Sequence, residues 1–288
     1  MIVDVHTHTF RFPEDYSDSF REQTKRIRGG GIETDMTVRY EHYASTSTSD
    51  TITIVFGGKA KLSGLWTSDD YVAEYVARHP DKLIGFMSLD PTQTGWQDEM
   101  REGRSTLGLR GIKLLPMYAG FRPDDATLDE LWEYASEWNL PVMLHTGTTF
   151  ISQAPLECTL PRHLDTVAIR FPSVKIIMAH LGHPYEGECI VTARKHPNVY
   201  ADVSALFYRP WQLYNSLMLV QEYGIWEKIL FGTDYPITTV NDTIKGLRGL
   251  NGMLKGTSLP RLDEEQIEAM ITRDSLALLG LADALKIS

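Results

Sequence analysis

Cysteine is scarce: Cys158 and Cys189 are the only two in 288 residues, and they form no Cys-x-x-Cys arrangement. That excludes a disulfide framework and sets a reduced compartment as the expectation. Basic residues are in deficit, with 28 Lys and Arg against 38 Asp and Glu and a formal net charge of −10. With no Lys/Arg cluster against that background, the field offers no grip on nucleic acid or on an anionic membrane. No apolar run approaches the length of a membrane span, and the N-terminus lacks the basic and apolar regions of a leader. A soluble, cytoplasmic protein is the expectation. No internal repeat and no low-complexity linker divides the chain, so residues 1–288 read as one domain. No Gly-x-Gly-x-x-Gly follows the first apolar run, which counts against a dinucleotide-binding fold.

What is present is alternation. Hydrophobic residues make up 42% and charged residues 23%, the balance of an ordinary globular chain. Short β-branched runs predict strands over Ile2–His6, Ile52–Phe56, Leu83–Leu89, Leu109–Leu114, Pro141–His145, Val174–His180, Asn198–Ser204 and Ile229–Asp234. Helical patterns separate them over Ser68–Arg78, Gly95–Arg104, Thr127–Trp138, Pro161–Phe171, Glu186–His196 and Pro210–Tyr223. Val240–Leu254 follows the last strand, and Asp263–Leu285 closes the chain. Eight strands alternating with helices predict a single α/β barrel of the (β/α)₈ (TIM-barrel) type. One connection breaks the rhythm: from Phe10 to about Asp50 the chain is polar and rich in Gly, Ser and Thr, and reads as a long insertion after the first strand. Such a segment is either a lid or binding loop over the site or a solvated excursion; Arg11, Phe12, Arg26, Arg28 and His42 lie in it.

In an extended strand, residues two apart point to one face, so His6 and His8 at the end of the first strand can grip one ion from the same side. Alone, a His-x-His pair is a weak signal. More candidates follow at other strand ends, in Arg110-Gly-Ile-Lys113, Leu144-His145-Thr-Gly147, Ala179-His180-Leu-Gly-His183 and Gly232-Thr-Asp234. The strand ends of one barrel face converge whatever their separation in sequence. Several imidazoles and a carboxylate form the N/O donor set that suits Zn²⁺, with Mn²⁺ or Fe²⁺ as alternatives.

With Asp4-Val-His-Thr-His8, Gly111-Ile-Lys-Leu114, His145-Thr-Gly147, Ala179-His-Leu-Gly182 and Phe231-Gly-Thr-Asp-Tyr-Pro236, the chain resembles the amidohydrolase-related metal-dependent hydrolases of the amidohydrolase superfamily over nearly its whole length. That branch also contains aromatic-acid decarboxylases and lactonases. The resemblance implies His6, His8, His145 and Asp234 as metal ligands, and Asp234 and His180 as the catalytic groups. It places Lys113 where two-metal members carry a carboxylated lysine, so Lys113 and His180 join the ligands if a second ion is bound. One ion is the expectation. An ammonium beside a dication is disfavoured, so Lys113 is neutral, carboxylated or turned away; supporting the barrel or binding a substrate carboxylate are its other readings.

A bound dication lowers the pKa of its water to roughly 7. Asp234 would take that water's proton and His180 would polarise the carbonyl or protonate the leaving atom, giving hydrolysis of a small ester, lactone, amide or thioester. The alternative is non-oxidative decarboxylation of an aromatic or unsaturated carboxylic acid by the same residues. Relatives of that kind commonly show His-Pro where this chain has His145-Thr-Gly147, which tilts the reading to a hydrolase. A third alternative is a non-catalytic barrel with a closed structural metal.

Other residues carry weaker signals. Asp4 reads as a carboxylate orienting a ligand, Asp202 and Ser204 as substrate contacts at the end of the seventh strand, and His183 as a loop histidine. Arg11, Tyr118, Phe121, Tyr208, Trp211 and Tyr235 fall in loops at the expected active-site face and suit an aromatic or acidic substrate; core packing accounts for any one of them equally well. The expected partner is that small molecule, with neither nucleic acid nor membrane, and a homo-oligomer is compatible with the sequence.

Overall fold

The computed structural model describes residues 1–27 and 30–285; Arg28 of the long connection lies outside them. Eight parallel strands run β1 (Ile2–His8), β2 (Thr51–Phe56), β3 (Leu83–Leu89), β4 (Ile112–Leu114), β5 (Val142–Leu144), β6 (Ile176–Met178), β7 (Val199–Asp202) and β8 (Ile229–Leu230), each hydrogen-bonded to the next. The ring closes beyond the end of β8. Val5 N–H donates to Phe231 O at 3.0 Å, Asp234 N–H to His6 O at 2.7 Å and His8 N–H to Tyr235 O at 2.9 Å. This is the TIM-barrel architecture expected from the alternation. Among the described residues, no helix is long and apolar enough to cross a membrane.

The period-two pattern sorts the core into two layers. Inside the barrel, Val3, Val5, Ile54, Phe56, Phe86, Met143, Ile177, Tyr200 and Leu230 pack together, with Leu276 and Leu279 of the C-terminal helix against them. The alternate residues, among them Ile112, Val142, Leu144, Ile176 and Val199, pack outward against the helices. Gly111 supplies no side chain to the interior because the Phe86 ring would lie 2.5 Å from a Cβ there.

β1 carries an irregularity that matters for the site. Asp4 pairs with Thr53 but Thr7 with Val55, so one extra residue is inserted on β1. A bulge of this kind flips the pattern by one position. Val3 and Val5 face the apolar interior, and directly after the bulge His6 and His8 face it too. Asp4 is thereby turned outward: its carboxylate accepts from His6 N–H (3.3 Å), Thr233 N–H (3.0 Å), Thr233 Oγ1 (2.7 Å) and Tyr43 Oη (3.0 Å). It fixes the backbone of the bulge against the end of β8, so it acts on His6 and Asp234 through the backbone and through Thr233 and not through an imidazole.

One element end differs from expectation. The sixth strand stops at Met178, and Ala179–Gly182 forms a tight turn with His180 (φ 59°) and Leu181 (φ 50°) in left-handed backbone. The closing segment Asp263–Leu285 holds two helices, Glu264–Ile271 and Ser275–Leu279, and Asp274 caps the second by accepting from Ala277 N–H at 3.0 Å. Residues 9–50 join β1 to β2 and contain helices Asp18–Ile27 and Tyr40–Ser45.

Candidate metal centre

Six of the eight strands deliver polar side chains to one end of the barrel. His6 and His8 come from β1, Lys113 from β4, His145 follows β5, His180 follows β6, Asp202 ends β7 and Asp234 follows β8. Gly232 makes the convergence sterically feasible, since a Cβ there would stand 3.0 Å from His6 Cβ and 3.5 Å from Asp202 Cβ.

Asp234 Oδ1 is the hub, 3.0 Å from His8 Nε2 and 3.3 Å from His6 Nε2. Donor atoms of His6, His180 and Asp234 all lie within 4.8 Å of one another. His145 lies edge-on to His180 with centroids 5.0 Å apart, and its Nε2 meets Thr148 O at 3.2 Å, so that nitrogen is engaged by backbone. Lys113 Nζ, fully buried, stands 3.3 Å from His6 Nε2 and 4.4 Å from the centroid of Phe56. Asp234 itself sits at φ 63°, a left-handed conformation uncommon for a residue with a side chain.

Behind the imidazoles runs an ordered network. His6 Nδ1–H donates to Asp202 Oδ2 at 2.9 Å. His180 Nδ1–H donates to Ser204 Oγ at 2.8 Å, and Ser204 Oγ–H in turn donates to Asp202 Oδ1 in a very short contact. Asp202 Oδ1 also accepts the backbone N–H groups of His180 and Ser204, each at 3.0 Å. Asp202 and Ser204 are therefore the residues that fix the rings of His6 and His180; both are sealed from solvent, and neither lines the cavity beside the centre. The signal was available: with Tyr200 facing inward, Asp202 two residues on must face inward as well.

Charge follows from burial and partners. Burial pushes Asp234 up, but hydrogen bonds from His6 and His8 outweigh it and hold the carboxyl well below its ordinary range. Burial likewise opposes the ionised form of Asp202, and the His6 charge and hydrogen bond overcome it, again leaving an anion. Desolvation lowers His8 and His180 to about 4 and takes His145 well below its usual value, so these three rings are neutral. His6 is the exception: burial and Lys113 disfavour its charge, yet Asp202 and Asp234 raise it. Two buried carboxylates thus draw one positive charge to His6. The same pair would draw a dication to its Nε2, and neutral imidazoles with an ionised carboxylate are the protonation states that bind one. The donor set fits a divalent metal.

The centre borders a cavity of about 620 Å³. His8, Lys113, His145, His180 and Asp234 line one side, and the 9–50 connection supplies Phe10, Tyr16, Phe20 and Arg21 on another. The connection is thus a wall of the cavity. Of the six substrate contacts expected from sequence, Tyr118 and Tyr208 line it. The other four are placed elsewhere: Arg11 is tied to Asp15 at 2.7 Å and lies over Tyr71, Phe121 packs on the outer core, Trp211 is exposed beside Tyr214, and Tyr235 is buried with its hydroxyl on His42. His183 and Arg209 border the cavity as well.

A parallel barrel that gathers imidazoles and a carboxylate at the C-terminal ends of its strands defines the class of barrel enzymes built around a metal. The chain belongs to the amidohydrolase family, whose model, described as Amidohydrolase, matches residues 3–281. A segment of 69 residues is 33% identical to protein fluG of Emericella nidulans, spanning 24% of this chain and 8% of that protein. The fold is similar to the uncharacterized TIM-barrel protein Bb4693 from Bordetella bronchiseptica (TM-score 0.71, 20% identity, 98% of this chain and 99% of that one). It is also similar to a probable 2-pyrone-4,6-dicarboxylic acid hydrolase from Acinetobacter baumannii (0.64, 16%, 97% and 99%). A third is 5-carboxyvanillate decarboxylase from Sphingomonas paucimobilis (0.63, 12%, 97% and 98%). At these identities the structural likeness speaks for the fold alone.

Proposed function

We propose that this amidohydrolase-family enzyme is a metal-dependent hydrolase of a small ester, lactone, amide or thioester. His6, His8, His145 and Asp234 hold one divalent ion, zinc in the first instance and manganese or iron(II) otherwise; Lys113 and His180 enter the ligand set only with a second ion. The observation that carries the reading is the position of Asp234 Oδ1, ionised and within 3.0 and 3.3 Å of two imidazole nitrogens at the edge of the cavity.

A divalent ion bound there supplies Lewis acidity toward a water and toward the carbonyl of the substrate. The chain's own groups supply the proton movements. Asp234 accepts the proton of the attacking water at its carboxylate. His180, with Nδ1–H committed to Ser204, keeps the lone pair of Nε2 for the cavity, takes that proton and returns it to the departing atom. Phe10, Phe20 and Tyr118 exclude bulk water and offer ring faces to an unsaturated or aromatic substrate.

The Thr146-Gly147 pair that separates this chain from the His-Pro pattern of decarboxylases has a packing reason, since Thr146 Oγ1 donates to Ala179 O at 2.6 Å. The test is therefore direct. Metal-reconstituted protein is assayed on a panel of lactones and esters and, in parallel, on aromatic carboxylates with CO₂ release as the readout. Hydrolysis is expected. CO₂ release without hydrolysis overturns the hydrolase in favour of a carboxy-lyase.

A further inference from the structure

His183 is a cavity residue that the chemistry above does not use. Its ring is held on one side only: Nδ1 meets Glu186 Oε1 at 2.6 Å, and Glu186 Oε1 also accepts from Ser216 Oγ at 3.3 Å. Both His183 and Glu186 are buried, with side chains 8% and 11% exposed, so the pair is an internal fixture and no surface contact. The backbone is pinned as well, through His183 N–H to His180 O at 2.9 Å. Nε2 has no hydrogen-bond partner among the described residues and is not among the sealed, unpartnered polar atoms, and His183 is one of the residues that line the cavity. A carboxylate on Nδ1–H fixes the tautomer and the ring plane and leaves the other nitrogen to face a ligand.

We propose that His183 is a specificity-determining contact of this enzyme: its Nε2 accepts a hydrogen bond from a protic group of the substrate, a hydroxyl or an N–H, and Glu186 is the positioning residue that aims it. The inference rests on the reading that substrate occupies this cavity and is indifferent to whether the reaction is hydrolysis or decarboxylation. A fixed acceptor rewards a donor at one place on the ligand and penalises its replacement, because the acceptor is then desolvated and unpaired. The surrounding rings of Phe10, Phe20 and Tyr118 suit a flat ligand, which makes hydroxylated benzoates and their O-methyl ethers matched probes.

The experiment measures binding of 2,6-dihydroxybenzoate and 2,6-dimethoxybenzoate to the metal-loaded protein by calorimetry, in wild type, His183→Phe, His183→Gln and Glu186→Gln. Wild type is expected to favour the hydroxyl probe by about tenfold. His183→Phe erases that preference while binding the methoxy probe as wild type does, His183→Gln restores part of it through its amide oxygen, and Glu186→Gln weakens it. A second readout, long-range ¹H–¹⁵N spectra of the ligand-free protein with His183 assigned by its loss in His183→Phe, is expected to show a protonated Nδ1 and an unprotonated Nε2. The proposal is overturned if wild type does not discriminate the probes or binds neither, if His183→Phe keeps the preference, or if Nε2 carries the proton. Loss of hydrolysis from the substrate panel with the probe preference intact overturns the reaction assignment and leaves this contact standing.

Discussion

Asp202 and His6 are joined inside the centre, Nδ1–H to Oδ2 at 2.9 Å, with both side chains sealed from solvent. The bond leaves Nε2 as the His6 nitrogen that would meet the proposed metal, and it raises the basicity of that ring. Asp202→Asn keeps the shape but presents an amide that must choose between His6 and the donors of Ser204 and His180. The expected result is a 10–100-fold weaker metal affinity, read by competition with a chromogenic chelator. An unchanged affinity would show that Asp202 serves the fold alone.

Asp234 is the proton acceptor of the proposed reaction, and Asn tolerates the left-handed backbone there about as well as Asp does. Asp234→Asn is therefore expected to fold, with a thermal midpoint close to that of wild type, and to lose on the order of 10²–10⁴ in turnover. Retention of full activity removes Asp234 from the mechanism.

Lys113 links metal count and pH. Burial lowers its ammonium to about 8 from an ordinary 10.5, against the pull of Asp202 and Asp234. Between those two values the unfolded chain carries a proton that the folded chain has lost, so folding becomes more favourable as pH rises through that window. In chelator-treated protein the urea midpoint of wild type should therefore gain on that of Lys113→Met between pH 8 and 10.5. For the loaded protein, elemental analysis is expected to give one metal per chain in both. Two in wild type falling to one in Lys113→Met would establish a bridging lysine.

The barrel was legible because strand alternation and strand-end chemistry are both local. His6, Lys113, His145, His180 and Asp234 each follow an apolar run, and burial of that run places the polar residue after it. What could not be read depends on partners distant in sequence. Arg11 and Tyr235 look like loop residues free to meet a ligand, but Asp15, Tyr71 and His42 claim them. Phe10 and Phe20 reach the cavity through the tertiary path of the 9–50 connection, for which no periodicity exists. His180 leaves its strand by a left-handed turn, and nothing in Ala179-His-Leu-Gly182 beyond the glycine announces it.

Gly147 tests the seam between the β5 and β6 loops, the two that carry His145, His180 and His183. Its φ of 114° is closed to other residues at a cost of about 1–3 kcal/mol. A Cβ there would also stand 2.2 Å from His183 O and 3.2 Å from His183 C, and backbone cannot swing aside as a side chain does. Gly147→Ala must then push one loop off the other, moving either His145 or His183. The expected result is a thermal midpoint lower by roughly 5 °C or more together with weaker metal binding or loss of the hydroxyl-probe preference. Gly187→Ala is the control: it lies in helix Glu186–Lys195 with nothing within 4 Å of the new carbon, and alanine is the better helix former by about 1 kcal/mol. If both variants are as stable as wild type, the two loops do not touch at Gly147, and the placement of His183 against the centre falls with that contact.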